Sequence, residues 1–337
     1  MPRTLHLVVL LIAFPASAEV TFEWATIGDP GNACDTSVAP YYKCIGSVSE
    51  TYRISKYEVT NAQYAEFLNA VAASDPNELY DPSMGVAIGG ITRSGSAGSY
   101  SYSVIPGREE KPVNNVSFWD AVRFANWLHN GQPSGAQGYS TTERGAYYLT
   151  PADVADNTVA REPEAAFFIP TVHEWFKAAY YDTDAKVYFD YPAASDTQTT
   201  CAMPGPVANT ANCGEVVNDF TDVGSYTGAA SPNGTFDQGG NVWEWNESVF
   251  IAEERGLSGG NWYDDAWMLD AAYYDIGYVP DGPGGKLGFR VGSVASASPV
   301  PLLSPSGLGV LWIGLGMVGY LVLWRDSRSV SGAIRRA

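Results

Sequence analysis

The chain has 337 residues and a formal net charge of −18. So acidic a balance repels nucleic acid and other polyanions. With 45% hydrophobic and 13% aromatic residues it is no disordered chain, and it is long enough for one large domain or two small ones.

Residues 1–18 have the form of a secretory signal: Arg3, an apolar run from Leu5 to Phe14, and the small-residue cleavage pattern Ala16-Ser17-Ala18. Export is therefore expected, and export permits disulfides. The cysteines fall into two close pairs, Cys34 with Cys44 and Cys201 with Cys213. Local pairing is expected, because short loops cost little entropy to close. Zinc is disfavoured: beyond the signal only His129 and His173 remain, and no Cys-x-x-Cys occurs.

Residues 19–294 read as one domain. Alternation at Tyr52, Ile54 and Lys56 predicts a strand within 51–59. Thr60 then offers a capping oxygen, and Ala62, Ala65, Phe67, Leu68 and Val71 recur at helical spacing over Asn61 to Ala73. Residues 74–107 read as a long surface excursion. Ser117 caps a second expected helix that turns Trp119, Val122, Phe124 and Trp127 inward. Residues 130–166 read as loop, and Pro170 opens a third helix, with Glu174 and Lys177 placed as the helix dipole favours. Residues 190–235 are loop again, and 236–293 read as short strands punctuated by glycine.

Residues 295–306 are rich in Ser, Ala and Pro and predict a flexible stalk. Residues 307–324 carry no charge over a length near the lower limit for a membrane span. Arg325, Arg328, Arg335 and Arg336 follow in a basic tail, 325–337, which the positive-inside rule keeps cytoplasmic. The expected arrangement is a domain in the cell envelope or outside the cell, anchored by this helix.

The run Phe236-Asp237-Gln238-Gly239-Gly240-Asn241-Val242-Trp243-Glu244-Trp245 combines two carboxylates, a tight glycine turn and two tryptophans that share one strand face. Carboxylate and carbonyl oxygens aimed at one point suit Ca²⁺. The same residues also suit a buried turn that carries tryptophans into the core.

With this run, Tyr-Arg-Ile-Ser-Lys-Tyr-Glu-Val-Thr-Asn-Ala-Gln-Tyr (52–64), Lys-Pro-Val-Asn-Asn-Val-Ser-Phe-Trp-Asp-Ala (111–121), Ile-Pro-Thr-Val-His-Glu-Trp-Phe-Lys-Ala-Ala (169–179), Arg-Gly-Leu-Ser-Gly-Gly-Asn-Trp (255–262) and Gly-Phe-Arg-Val (288–291) resemble the ordered motifs of the formylglycine-generating enzyme (sulfatase-modifying factor) superfamily. The resemblance implies an α+β, C-type-lectin-like fold, loop-rich, with short antiparallel strands and about three helices. It also implies a structural Ca²⁺ held by Asp237, the carbonyls of Gly240 and Val242, and Glu244. A second ion would fall near Asn209 and Asp219.

In the catalytic members two cysteines follow the Gly-Gly-Ser-Trp motif and hold copper as soft thiolates. Their positions fall here on Asp264 and Leu269, so no copper is expected. The iron-dependent branch uses histidines, usually from an added helical domain, and iron of that kind is not expected here, since His129 and His173 fall on separate expected helices. The segment after the motif lines the pocket in this fold. Here it carries Trp262, Tyr263, Asp264, Asp265, Trp267, Asp270 and Tyr274, rings and carboxylates suited to a peptide or carbohydrate ligand. The resemblance thus implies an exported, membrane-tethered, calcium-stabilised binding or surface module without the oxidase activity. The alternative is an enzyme of the same superfamily that modifies or oxidises exported proteins through the same pocket. The tail is similar to PEP-CTERM-type sorting signals, which implies an exosortase-type partner, although Val300-Pro301 stands where Glu-Pro is usual.

Overall fold

The computed structural model describes residues 19–38, 43–86, 88–273 and 276–295. The expected signal, membrane span and basic tail, with nearly all of the stalk, lie outside them. No helix among the described residues is long and apolar enough to cross a membrane.

Polar side chains start the helices where the sequence offers them. Strands β1 (Trp24–Ile27) and β2 (Tyr52–Ser55) lead into α1 (Asn61–Val71), where Thr60 and Gln63 form a reciprocal capping box. A hairpin of β3 (Ile91–Ser94) and β4 (Ser101–Val104) precedes α2 (Phe118–His129), capped by Ser117 with Asp120. A short helix, α3 (Pro151–Ala155), interrupts the region read as loop; Thr150 caps it and Pro151 takes its first position. After β5 (Phe167–Phe168) comes α4 (Val172–Tyr180). Its cap is Thr171, paired with Glu174, so Pro170 stands before the helix rather than inside its first turn.

Two small ladders follow: β6 (Tyr181–Asp182) with β7 (Val187–Tyr188), and β8 (Thr200–Cys201) with β9 (Thr210–Ala211). Strands β10 (Trp243–Ile251) and β11 (Glu254–Ser258) form a bulged antiparallel pair. Then come β12 (Ile276–Tyr278), β13 (Leu287–Gly288) and β14 (Gly292–Val294). Two four-stranded sheets result, ordered β1-β2-β14-β5 and β12-β11-β10-β13. The first sets β14 between β2 and β5, which joins the two ends of the domain. Gly292 is required there: a β-carbon would come within 2.2 Å of the Phe168 ring.

The main core fills the space between α1, α2 and the sheets. Tyr64, Phe67, Phe124, Trp127 and Phe289 form a connected aromatic cluster within it. A second cluster surrounds Val172, Trp175, Phe176 and Tyr180 of α4. The fold is the α+β, loop-rich architecture expected, with four α-helices among the described residues. The cysteines pair locally, Cys34 with Cys44 and Cys201 with Cys213.

Candidate functional site

The 236–245 run enters β10 through a turn in which Asp237, Gly240 and Asn241 all take positive φ. Gly240 admits no side chain, since a β-carbon would lie 2.3 Å from the Asn212 carbonyl oxygen. Asn241 locks the turn. Its Oδ1 accepts from the Thr221 amide (3.0 Å) and Asn212 Nδ2 (3.1 Å), and its Nδ2 donates to Glu58 Oε1 (3.1 Å).

Both Glu244 oxygens are taken by protein donors. Arg290 Nε donates to Oε2 and Nη2 to Oε1, each at 2.6 Å, and Trp175 Nε1 donates to Oε2 at 2.7 Å. The remaining Arg290 N–H groups reach the carbonyls of Ser55, Lys56 and Phe236. Arg290 and Glu244 are both fully buried. Burial opposes the guanidinium charge, but Glu244 holds its pKa above the ordinary value.

Asp237 Oδ2 accepts from the Gly224 amide at 2.5 Å. Burial, with Glu244 nearby, pushes the Asp237 pKa up to about 6 against the opposing Gly224 bond and Arg290. These placements do not make the calcium shell expected from Asp237, Gly240, Val242 and Glu244. A cation on Glu244 would face Arg290, which already neutralises it, so the residues as placed do not fit the ion. Nor do Asn209 and Asp219 form a second shell. Asp219 pairs with Arg108 at 2.9 Å through both oxygens, while Asn209 binds Thr199, Ser195 and Thr197 in its own loop. Among the described residues no group of three or more His, Cys, Asp and Glu is placed to hold a metal ion.

The segment after Gly259-Gly260 divides by exposure. Trp262 is buried against Phe220. Tyr263 and Trp267 stand about half exposed, at 50% and 45%. Trp267 meets Tyr273 edge to face at 4.8 Å, and Lys286 Nζ lies 3.6 Å from the Tyr263 ring centroid and 4.9 Å from that of Trp262. Asp264 Oδ2 accepts from the amide (3.1 Å) and Nδ2 (2.7 Å) of Asn261, so it braces the turn. Burial raises the Asp264 pKa and lowers that of Lys286. Asp265 accepts from Trp267 Nε1, and Asp270 from the Ala272 amide.

Leu269 is buried in a cluster with Tyr191, Ala211 and Cys213. Tyr274 lies outside the described residues. Tyr263, Trp267 and Tyr273 form an outward-facing strip of rings, with Asp265 beside Trp267.

The two histidines among the described residues each hold a backbone amide. His129 Nδ1 accepts from the Ala166 amide and His173 Nδ1 from the Gly46 amide, and burial lowers both pKa values. Arg290, Trp175 and Lys286 are the residues sequence reasoning missed at this site; the first two stand inside motifs already quoted.

The model of the sulfatase-modifying factor enzyme 1-like domain matches residues 45–294, about three quarters of the chain. No curated protein matches it. Among solved structures, the crystal structure of CarF is similar at TM-score 0.52 and 20% identity, covering 82% of this chain and 99% of that one. Treponema denticola variable protein 1 is similar at TM-score 0.48 and 16% identity over 83% of this chain and 100% of that one. PvdO from Pseudomonas aeruginosa is similar at TM-score 0.44 and 17% identity over 81% and 91%.

Proposed function

The chain belongs to the sulfatase-modifying factor enzyme 1-like domain family, and from that premise we propose that it is an exported, membrane-tethered binding module of that fold without the oxidase chemistry. The observation that carries this reading is the state of the two copper positions. Asp264 is committed to its own turn and Leu269 to a buried apolar cluster. The four cysteines are all in disulfides, and although Cys213 packs beside Leu269, its bond to Cys201 leaves no thiolate there.

The exposed strip of Tyr263, Trp267 and Tyr273, with Asp265 beside it, supplies the binding surface. Flat rings stack on sugar or peptide faces, and carboxylates accept hydroxyl or amine hydrogens. Retention on a panel of immobilised oligosaccharides and peptides tests it. Selective retention of the full chain, lost in Trp267→Ala, supports the reading; equal retention of the variant sinks it.

The placement of Lys286, its Nζ 3.6 Å from the Tyr263 ring centroid and acting on the Asp264 carboxyl, favours the alternative of an enzyme acting on exported proteins. Modification of an exported peptide that is lost in both Asp264→Asn and Lys286→Met would establish it.

A further inference from the structure

The loop 77–82, the start of α2, Val154 of α3 and the segment 281–283 enclose a cleft of about 460 Å³. The cations on its wall, Arg93 and Arg123, are already matched. Arg123 donates to Glu143 through Nε (2.9 Å) and Nη2 (3.1 Å). Arg93 lies 3.6 Å from Asp75 and over the rings of Tyr80 and Tyr100.

Asp120 and Arg123 separate this cleft from an ordinary polar surface. They stand three residues apart on α2 and so share a helix face. Both line the cleft, although they are only 5% and 9% exposed. Asp120 Oδ2 accepts from the Ser117 amide at 2.8 Å, whereas Oδ1 takes no hydrogen bond from the protein and is not sealed from solvent. Arg123 Nη1 is in the same state, because Glu143 engages only Nε and Nη2. One largely buried face therefore turns a free acceptor and free donors to the cleft.

Charged ligands suit this wall poorly. An anion would meet Glu78, Asp81, Asp120 and Asp281, and an ammonium would meet Arg93 and Arg123. Burial pushes the Asp120 carboxyl up to about 7 against the opposing Ser117 bonds and Arg123, so near neutral pH it is no fixed counterion. A hydroxyl both donates and accepts, and a pair of them matches Oδ1 and Nη1 together. We propose that this cleft binds a neutral saccharide, one hydroxyl donating to Asp120 Oδ1 and another accepting from Arg123 Nη1. The volume lies within the range of small-molecule sites.

Calorimetric titration of cellobiose, maltose and diacetylchitobiose into the full chain tests this, with the galacturonate and glucosamine disaccharides as charged counterparts. Saturable binding of one neutral disaccharide per chain is expected for at least one of the three, with weaker binding of both charged sugars. Asp120→Asn keeps an oxygen for the Ser117 amide but turns an amino group to the cleft, so affinity should fall roughly tenfold or more. Pro283→Trp changes an exposed residue and sets a ring in the cleft, so it should abolish binding even if Asp120→Asn fails to fold. Trp267→Ala should change nothing, which separates this site from the aromatic strip. No saturable binding of any of the neutral sugars overturns the proposal. Unchanged affinity in both cleft variants, loss of binding in Trp267→Ala, or tighter binding of either charged disaccharide would each overturn it too.

Discussion

Replacing Arg290 with Met strands the Glu244 carboxylate. Arg290 is 0% exposed, and its five N–H groups all have acceptors: Glu244 twice and the carbonyls of Ser55, Lys56 and Phe236. It therefore joins the end of β2, the 236–245 turn and β10 at one point. Methionine matches the length but donates nothing, which leaves Glu244 with Trp175 alone. Removing one partner of a buried pair costs about 3–5 kcal/mol. At about 2–4 °C per kcal/mol, the melting temperature should fall by roughly 6–20 °C.

Glu244→Leu should cost a similar amount, because it strands the guanidinium instead. The double variant, apolar on both sides, should recover about 2 kcal/mol or more relative to the sum of the single losses. Urea unfolding of the three variants and wild type measures the cycle. Single losses under about 1 kcal/mol, or strict additivity, would refute the buried-pair argument.

Other outcomes follow from the same structure. Burial pushes the Asp120 carboxyl up to about 7 from an ordinary 3.8, so the folded state holds its proton more tightly than the unfolded one. Its contribution to stability is full below about pH 3.8 and is lost as pH rises through about 7; Asp120→Asn should flatten that slope in pH-dependent melting. Because Arg290 occupies Glu244, chelating Ca²⁺ should leave the melting temperature unchanged, and a drop of several degrees would restore calcium to the turn. Replacing Cys201 and Cys213 with Ala opens a loop of sequence separation 12 and should cost about 3 kcal/mol in urea unfolding.

Local signals carried most of the fold. Thr60 and Ser117 announce their helices through side chains that reach only three residues ahead, and they cap where expected. Thr150-Pro151 gives an equally local signal for α3 that hydrophobic spacing masked in so short a helix. Thr171 with Glu174 was a readable capping box, overshadowed by Pro170. The disulfide pairing was legible because chain proximity alone favours it.

The site was less legible because its chemistry is decided over long separations. Whether Glu244 meets a cation or a guanidinium depends on Arg290, 46 residues away. The run itself is compatible with either. Likewise, spacing does not tell that Trp262 turns inward while Trp267 turns out, since a turn at 262–265 separates Trp262 from the 3-10 helix Ala266–Leu269 that carries Trp267.

The central claim is that this domain keeps the family fold without the thiolates that hold copper. Oxygen uptake by the full chain, loaded with one equivalent of Cu(I) and given a cysteine-containing peptide, tests it most directly. Uptake no faster than that of copper and peptide alone is expected, with no retention of the ion through a competing chelator. Stoichiometric copper retention with peptide-dependent oxygen uptake, abolished in Asp264→Ala, would contradict it.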